Sequence, residues 1–154
     1  MPALPARNLI ALALFLGVLL TSSLALSQDR VPSQQRYVVD IELQTQDQFD
    51  LLLQRANQLL LSGEVQQDGE AAVVFVLHGP VLRSLLKQNY PENRQTVDLA
   101  ARLSALEVID LKACRTWMGG NNVSESDLQP FVETVSYGPA EVEGLLQQGN
   151  YSYF

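Results

Sequence analysis

The run Ala71–Leu77 (AAVVFVL) constrains the fold of this chain more than any other segment, because it is apolar throughout with no polar alternation. A strand with one wet face alternates apolar and polar side chains, and a strand covered on both faces does not. The run therefore predicts an interior strand of a parallel sheet with helices on both sides. His78-Gly79-Pro80 breaks it.

The flanking segments carry the same message. Tyr37–Leu43 (YVVDIEL) is rich in β-formers and reads as the first strand. Asp47–Leu61 places Phe49, Leu52, Leu53, Ala56, Leu59 and Leu60 at helical spacing, with Thr45 or Asp47 as cap and Ser62-Gly63 as stop. Gln66–Gly69 is a turn, and Val81–Leu86 reads as one or two helical turns. A helix over Thr96–Leu106 is opened by Asn93. The third strand, Val108–Ala113 (VIDLKA), leads straight into Cys114. Thr116–Asn121 reads as a short helix stopped by Gly119-Gly120, and Ser124–Leu128 as a further turn capped by Ser124 and Ser126. Phe131–Ser136 is a fourth strand, Ala140–Gln148 a last helix opened by Gly138-Pro139, and Tyr151–Phe154 a short edge strand. Strands alternating with helices predict βαβ units with right-handed crossovers, hence a mainly parallel five-stranded sheet.

The first residues have a different character. Met1–Asn8 carries Arg7 and no acid, Leu9–Leu20 has no polar side chain, and Ser23-Leu24-Ala25 offers small residues for a cut after Ala25. This is the pattern of a cleavable secretory signal over residues 1–25, and the apolar run is shorter than the ~20 residues that span a bilayer. The sequence thus predicts a periplasmic or secreted protein without stable membrane insertion after cleavage. A polar leader over residues 26–36 with Pro32 precedes the folded domain of residues 37–154.

The chain holds 10 basic and 17 acidic residues, and removing the signal takes away one base and no acid. An acidic domain repels phosphate backbones and anionic lipid, which argues against nucleic acid as partner. A lone cysteine, Cys114, cannot form an internal disulfide, so packing must carry the stability.

In parallel α/β sheets, chemistry gathers beyond the carboxyl ends of the strands. That rule selects His78, just past the second strand, and Cys114, at the end of the third. A thiolate is the reactive form of cysteine, and a helix start together with Arg115 or Lys112 would favour it. Gly79, Arg115, Thr116 and Trp117 are the candidate lining of such a site. The plain alternatives are a buried apolar thiol and a histidine that bonds locally. One histidine and one cysteine make no metal site, and no dinucleotide, phosphate-loop or serine-elbow motif occurs, so no cofactor is expected. Tyr151, Tyr153 and Phe154 on a short edge suit an interface between subunits; the alternative is that they fold back over the core.

Three segments resemble the DsrE/DsrF-like family: VVFVLHGPVLRSLL (Val73–Leu86), LEVIDLKACRTWM (Leu106–Met118) and SDLQPFVETVSYGPAEVEGLLQQGNYSY (Ser126–Tyr153). The resemblance spans Tyr37–Phe154, with the HG turn and the cysteine after the third strand as its most specific features. It implies a three-layer α/β/α domain and a homo-oligomer, a trimer or hexamer. It also implies a sulfur-relay role in which Cys114 accepts sulfur as a persulfide from a donor protein and passes it on. His78 matches the HG turn. The understood relay members are cytoplasmic, whereas this chain opens with an export signal. Two functions follow: a thiol-based sulfur carrier or sulfurtransferase, or a non-enzymatic module that binds a small ligand or protein with a structural cysteine.

Overall fold

A computed structural model of the chain describes residues 35–42, 45–65 and 68–154. The expected signal, most of the leader, Leu43 of the first strand and part of the Gln66–Gly69 turn lie outside the described residues.

Five strands form one sheet in which every pairing is parallel: β1 Arg36–Ile41, β2 Val73–Leu77, β3 Ile109–Cys114, β4 Val132–Val135 and β5 Tyr151–Tyr153, in the order β4-β3-β2-β1-β5. Four α-helices connect them: α1 Gln46–Ser62, α2 Arg94–Ala105, α3 Arg115–Gly120 and α4 Gly138–Gln147. The chain steps in one direction from β1 to β4, then returns past β1 to place β5 on the far edge. A right-handed crossover that reverses its direction of travel must cross on the opposite face. Accordingly α1 and α2 pack on one face and α4 on the other, giving three layers.

The apolar run of β2 follows from this position. Val73, Phe75 and Leu77 point to the α1/α2 side, where they meet Phe49, Leu53 and Ala56 of α1 and Val97, Ala100 and Leu103 of α2. Val74 and Val76 point the other way, against Val38 of β1 and Val142 and Leu145 of α4. Both sets are buried because β2 is the central strand. On β3 the same parity sends Ile109, Leu111 and Ala113 to the larger core. Asp110, Lys112 and Cys114 are left for the α4 face.

Several elements differ locally from their sequence reading. Val81–Leu86 is 3₁₀ helix instead, Pro80–Leu85 followed by Lys87–Asn89, and begins at the proline. Pro80 brings its own helical φ and needs no N–H there. Gly119 and Gly120 do not stop α3 but lie within it, and Asn121 ends it with its amide donating to the Trp117 carbonyl at 2.8 Å. Ser124–Leu128 is a single 3₁₀ turn, Glu125–Asp127, closed by reciprocal bonds between Ser124 and Asp127. Gly138 and Pro139 open α4 from inside the helix.

The C-terminal aromatics divide. Phe154 folds back: its ring lies 5.5 Å from that of Tyr37 and 6.3 Å from that of Phe75, with the Arg55 guanidinium 4.2 Å from its centroid. Tyr151 is half-buried, and Tyr153 alone of the three is largely exposed, at 65%. Among the described residues no helix is long and apolar enough to cross a membrane.

Candidate functional site around Cys114

Connections leave β3 toward the α1/α2 face, through α3 with its buried Met118, and leave β4 toward the α4 face. Adjacent strands whose connections part in this way open a crevice at their carboxyl ends. Cys114 is the last residue of β3 and lies at that crevice. Its neighbour strand is β2, paired Leu77 with Ala113, so His78 and Cys114 follow at the same level. The structure therefore brings the only histidine and the only cysteine of the chain to one end of adjacent strands. Asp40 of β1 joins them, because it shares the α4 face with Val38, and His78 Nε2 bonds its carboxylate.

Gly138, the first residue of α4, sits where these groups converge. Its N–H donates to Cys114 Sγ at 3.3 Å. A Cβ on Gly138 would lie 3.2 Å from Val76 Cγ1, 3.4 Å from His78 Cδ2 and 3.5 Å from Cys114 Cβ. Hydrogen is thus the side chain that lets α4 approach the sheet closely enough for its amide to reach the sulfur. Gly138→Ala keeps the N–H but presses a methyl on Val76, a buried residue of the central strand that cannot swing away. The variant should lose about 1 kcal/mol, overpacking offsetting the gain from a less flexible unfolded chain. The shift in urea midpoint at constant slope measures it.

The thiol is almost enclosed, at 2% exposure. Burial pushes its pKa up, but the N–H groups of Trp117, Gly138 and Thr116 outweigh that and hold the thiol below its ordinary 9.0. The Thr116 hydroxyl contributes least, since it donates to the Ser136 carbonyl at 3.1 Å. The cations expected to activate the thiol do not. Lys112 Nζ is 2.7 Å from Glu141 Oε1 and 3.8 Å from Asp110 Oδ2, and Arg115 Nε is 2.7 Å from Glu125 Oε1. Glu141 of α4 and Glu125 of the 3₁₀ turn pull both charges aside, although Lys112 shares its face of β3 with Cys114.

The remaining candidates frame the site unequally. Gly79 is buried and its carbonyl accepts the Leu82 N–H, so it serves the turn after β2. Arg115 is exposed and holds Glu125 and Thr134. Trp117 packs on the larger core with the Arg83 guanidinium 5.7 Å from its ring. A 350 Å³ hollow beside the cysteine is lined by Arg115, Thr134, Ser136, Tyr137 and Glu141. A separate 320 Å³ cavity lies at the other end of the sheet, among Glu70, Asp110, Lys112, Glu133 and Tyr151. Burial there, followed by the charge of Glu133, pushes the Asp110 carboxyl up. Among the described residues no cluster of three or more metal-ligating side chains occurs.

Asp40 was not among the residues that the sequence singles out. Its signal is faint: an acid one residue before the end of β1, meaningful only once β1 is known to lie beside β2. No family model matches the chain, and no curated protein matches it. Among solved structures the chain is similar to a protein of unknown function, MTH1491 from Methanobacterium thermoautotrophicum. The two are 16% identical with a TM-score of 0.61, over 78% of this chain and 97% of that one. At that identity the likeness shows the fold alone, an α/β domain with a parallel sheet.

Proposed function

We propose that this chain is an exported DsrE-like thiol carrier that takes up sulfur on Cys114 and hands it on, working as a homo-oligomer. The observation that carries the reading is the Cys114 sulfur itself. It closes a strand at the crevice, accepts the Gly138 amide, and has its pKa held below the ordinary thiol value. Amide donors aimed at a sulfur favour its anion, and the anion is the nucleophile.

The chemistry is an exchange without net oxidation. The Cys114 thiolate attacks the terminal sulfur of a donor persulfide, R–S–S–H. A new S–S bond forms at Cys114 as the donor's S–S bond breaks, and the donor leaves as the thiolate R–S⁻. The Cys114 persulfide passes its outer sulfur to an acceptor thiolate by the same step in reverse.

Intact-mass measurement under non-reducing conditions tests this on protein recovered from the exported fraction and incubated with glutathione persulfide. The expected species begins near Leu26 and gains about 32 Da per sulfur atom taken up. A chain still carrying residues 1–25 would overturn export, and a mass unmoved by the persulfide would overturn sulfur uptake.

The 2% exposure of the thiol favours a second reading, a binding module in which Cys114 is a structural acceptor pinning α4 to β3. In that case alkylation requires unfolding, whereas a working thiol reacts in the native state. Native alkylation should then reach half its plateau below pH 9.0, the direction set by the Trp117, Gly138 and Thr116 amides.

A further inference from the structure

We infer that Asp40 is the positioning residue of this site: it decides which edge of the His78 ring faces Cys114. The inference deepens the reading of Cys114 as the reacting group and rests on it.

His78 and Cys114 approach one point from two sides. The place a Gly138 Cβ would take is 3.4 Å from His78 Cδ2 and 3.5 Å from Cys114 Cβ. The imidazole atom turned toward that point is a carbon. Nε2 is committed to the Asp40 carboxylate, on the strand at the far side of β2 from Cys114. A carboxylate only accepts, so Nε2 carries the proton, and the lone pair of the neutral ring falls on Nδ1. Nδ1 lies on the ring edge opposite Cδ2. No ring lone pair therefore faces the thiol while Asp40 holds the imidazole, and His78 cannot take the Cys114 proton in this arrangement.

Half a turn about the Cβ–Cγ bond exchanges Cδ2 for Nδ1. The χ2 torsion of histidine is broad and roughly two-fold, so the turned ring is a low-energy conformer in its own right. In that conformer the lone pair points to the side where Gly138 and Cys114 lie, and the Asp40 bond is given up. The Cys114 S–H proton then passes to Nδ1, leaving a thiolate and an imidazolium with no other reactant needed. Asp40 thus holds His78 in the orientation that leaves the thiol to the amides alone.

Iodoacetamide alkylation of Cys114 at pH 7 in the folded protein tests this, with the urea midpoint of each variant as the check on folding. Asp40→Ala should alkylate faster, by roughly tenfold, well under what a fully engaged general base contributes. Asp40→Asn keeps an acceptor oxygen for the Nε2 proton and should stay at the wild-type rate. The double variant Asp40→Ala/His78→Ala should also return to that rate, because the turned ring is gone. An Asp40→Ala rate at or below wild type overturns the inference. So does an Asp40→Asn rate equal to that of Asp40→Ala, or an acceleration that survives in the double variant. Persulfide uptake is read separately: wild-type protein that never gains sulfur while Asp40→Ala still accelerates alkylation sinks the carrier function and leaves the positioning role standing.

Discussion

Phe75→Ala should destabilise the domain by about 3–5 kcal/mol, the range for deleting a fully buried aromatic ring. Phe75 is completely buried at the middle of the central strand. Its ring meets Phe49 edge-on, with centroids 6.2 Å apart, and Phe154 at 6.3 Å. These three rings tie β2 to α1 and to the end of the chain. Their partners sit on separate elements and cannot all close on the vacated space, so the cavity persists. Against a typical total of about 5–15 kcal/mol for a domain, this is a large share. The measurement is a urea transition, expected to move to a lower midpoint with little change in slope. Leu61→Ala is the control: at 70% exposure it should cost less than about 0.5 kcal/mol. A Phe75→Ala midpoint no lower than that of the control would mean that this ring cluster does not organise the core.

The strength of that cluster was legible because hydrophobic period is a local signal. The unbroken AAVVFVL run foretold a strand covered on both faces, and the helical spacing from Phe49 to Leu60 foretold the layer that covers one of them. Strand order was not legible, since it depends on where each crossover lands. Knowing only that α4 precedes Tyr151 does not tell that β5 returns to the far side of β1. The site inherits that limit. His78 and Cys114 could be placed at one edge from sequence, but their neighbourhood needed β2 beside β3, and Asp40 needed β1 beside β2. Lys112 and Arg115 misled for a related reason. Proximity in sequence suggested two activating cations, while Glu141 and Glu125, 29 and ten residues away along the chain, claim them in space. Gly138 read as a helix opener, and only the packing shows that its missing side chain lets an amide reach the sulfur.

Cys114→Ser should abolish persulfide uptake while leaving stability within about 1 kcal/mol of wild type, because the Gly138 N–H that meets the sulfur can meet a hydroxyl oxygen instead. The C–O bond is shorter than C–S, so the contact lengthens from its present 3.3 Å, and this accounts for the small loss. Cys114→Ala makes the complementary case. It removes the acceptor altogether and leaves a buried amide facing a methyl group, which should cost about 1–3 kcal/mol. Alanine should therefore be the less stable of the two, though both are inert toward persulfide. That ordering tests the Gly138 bond, and the mass shift tests the chemistry, so the two questions separate. A serine variant that still gains about 32 Da would place the sulfur on some other group. A serine variant no more stable than the alanine variant would mean that the amide at Gly138 stabilises nothing in the resting thiol. If wild-type Cys114 takes up sulfur and the serine variant does not, while both unfold at nearly the same urea concentration, the thiol is present for its reactivity. Its place at the end of β3 then explains how a single cysteine is given amide donors without an activating cation.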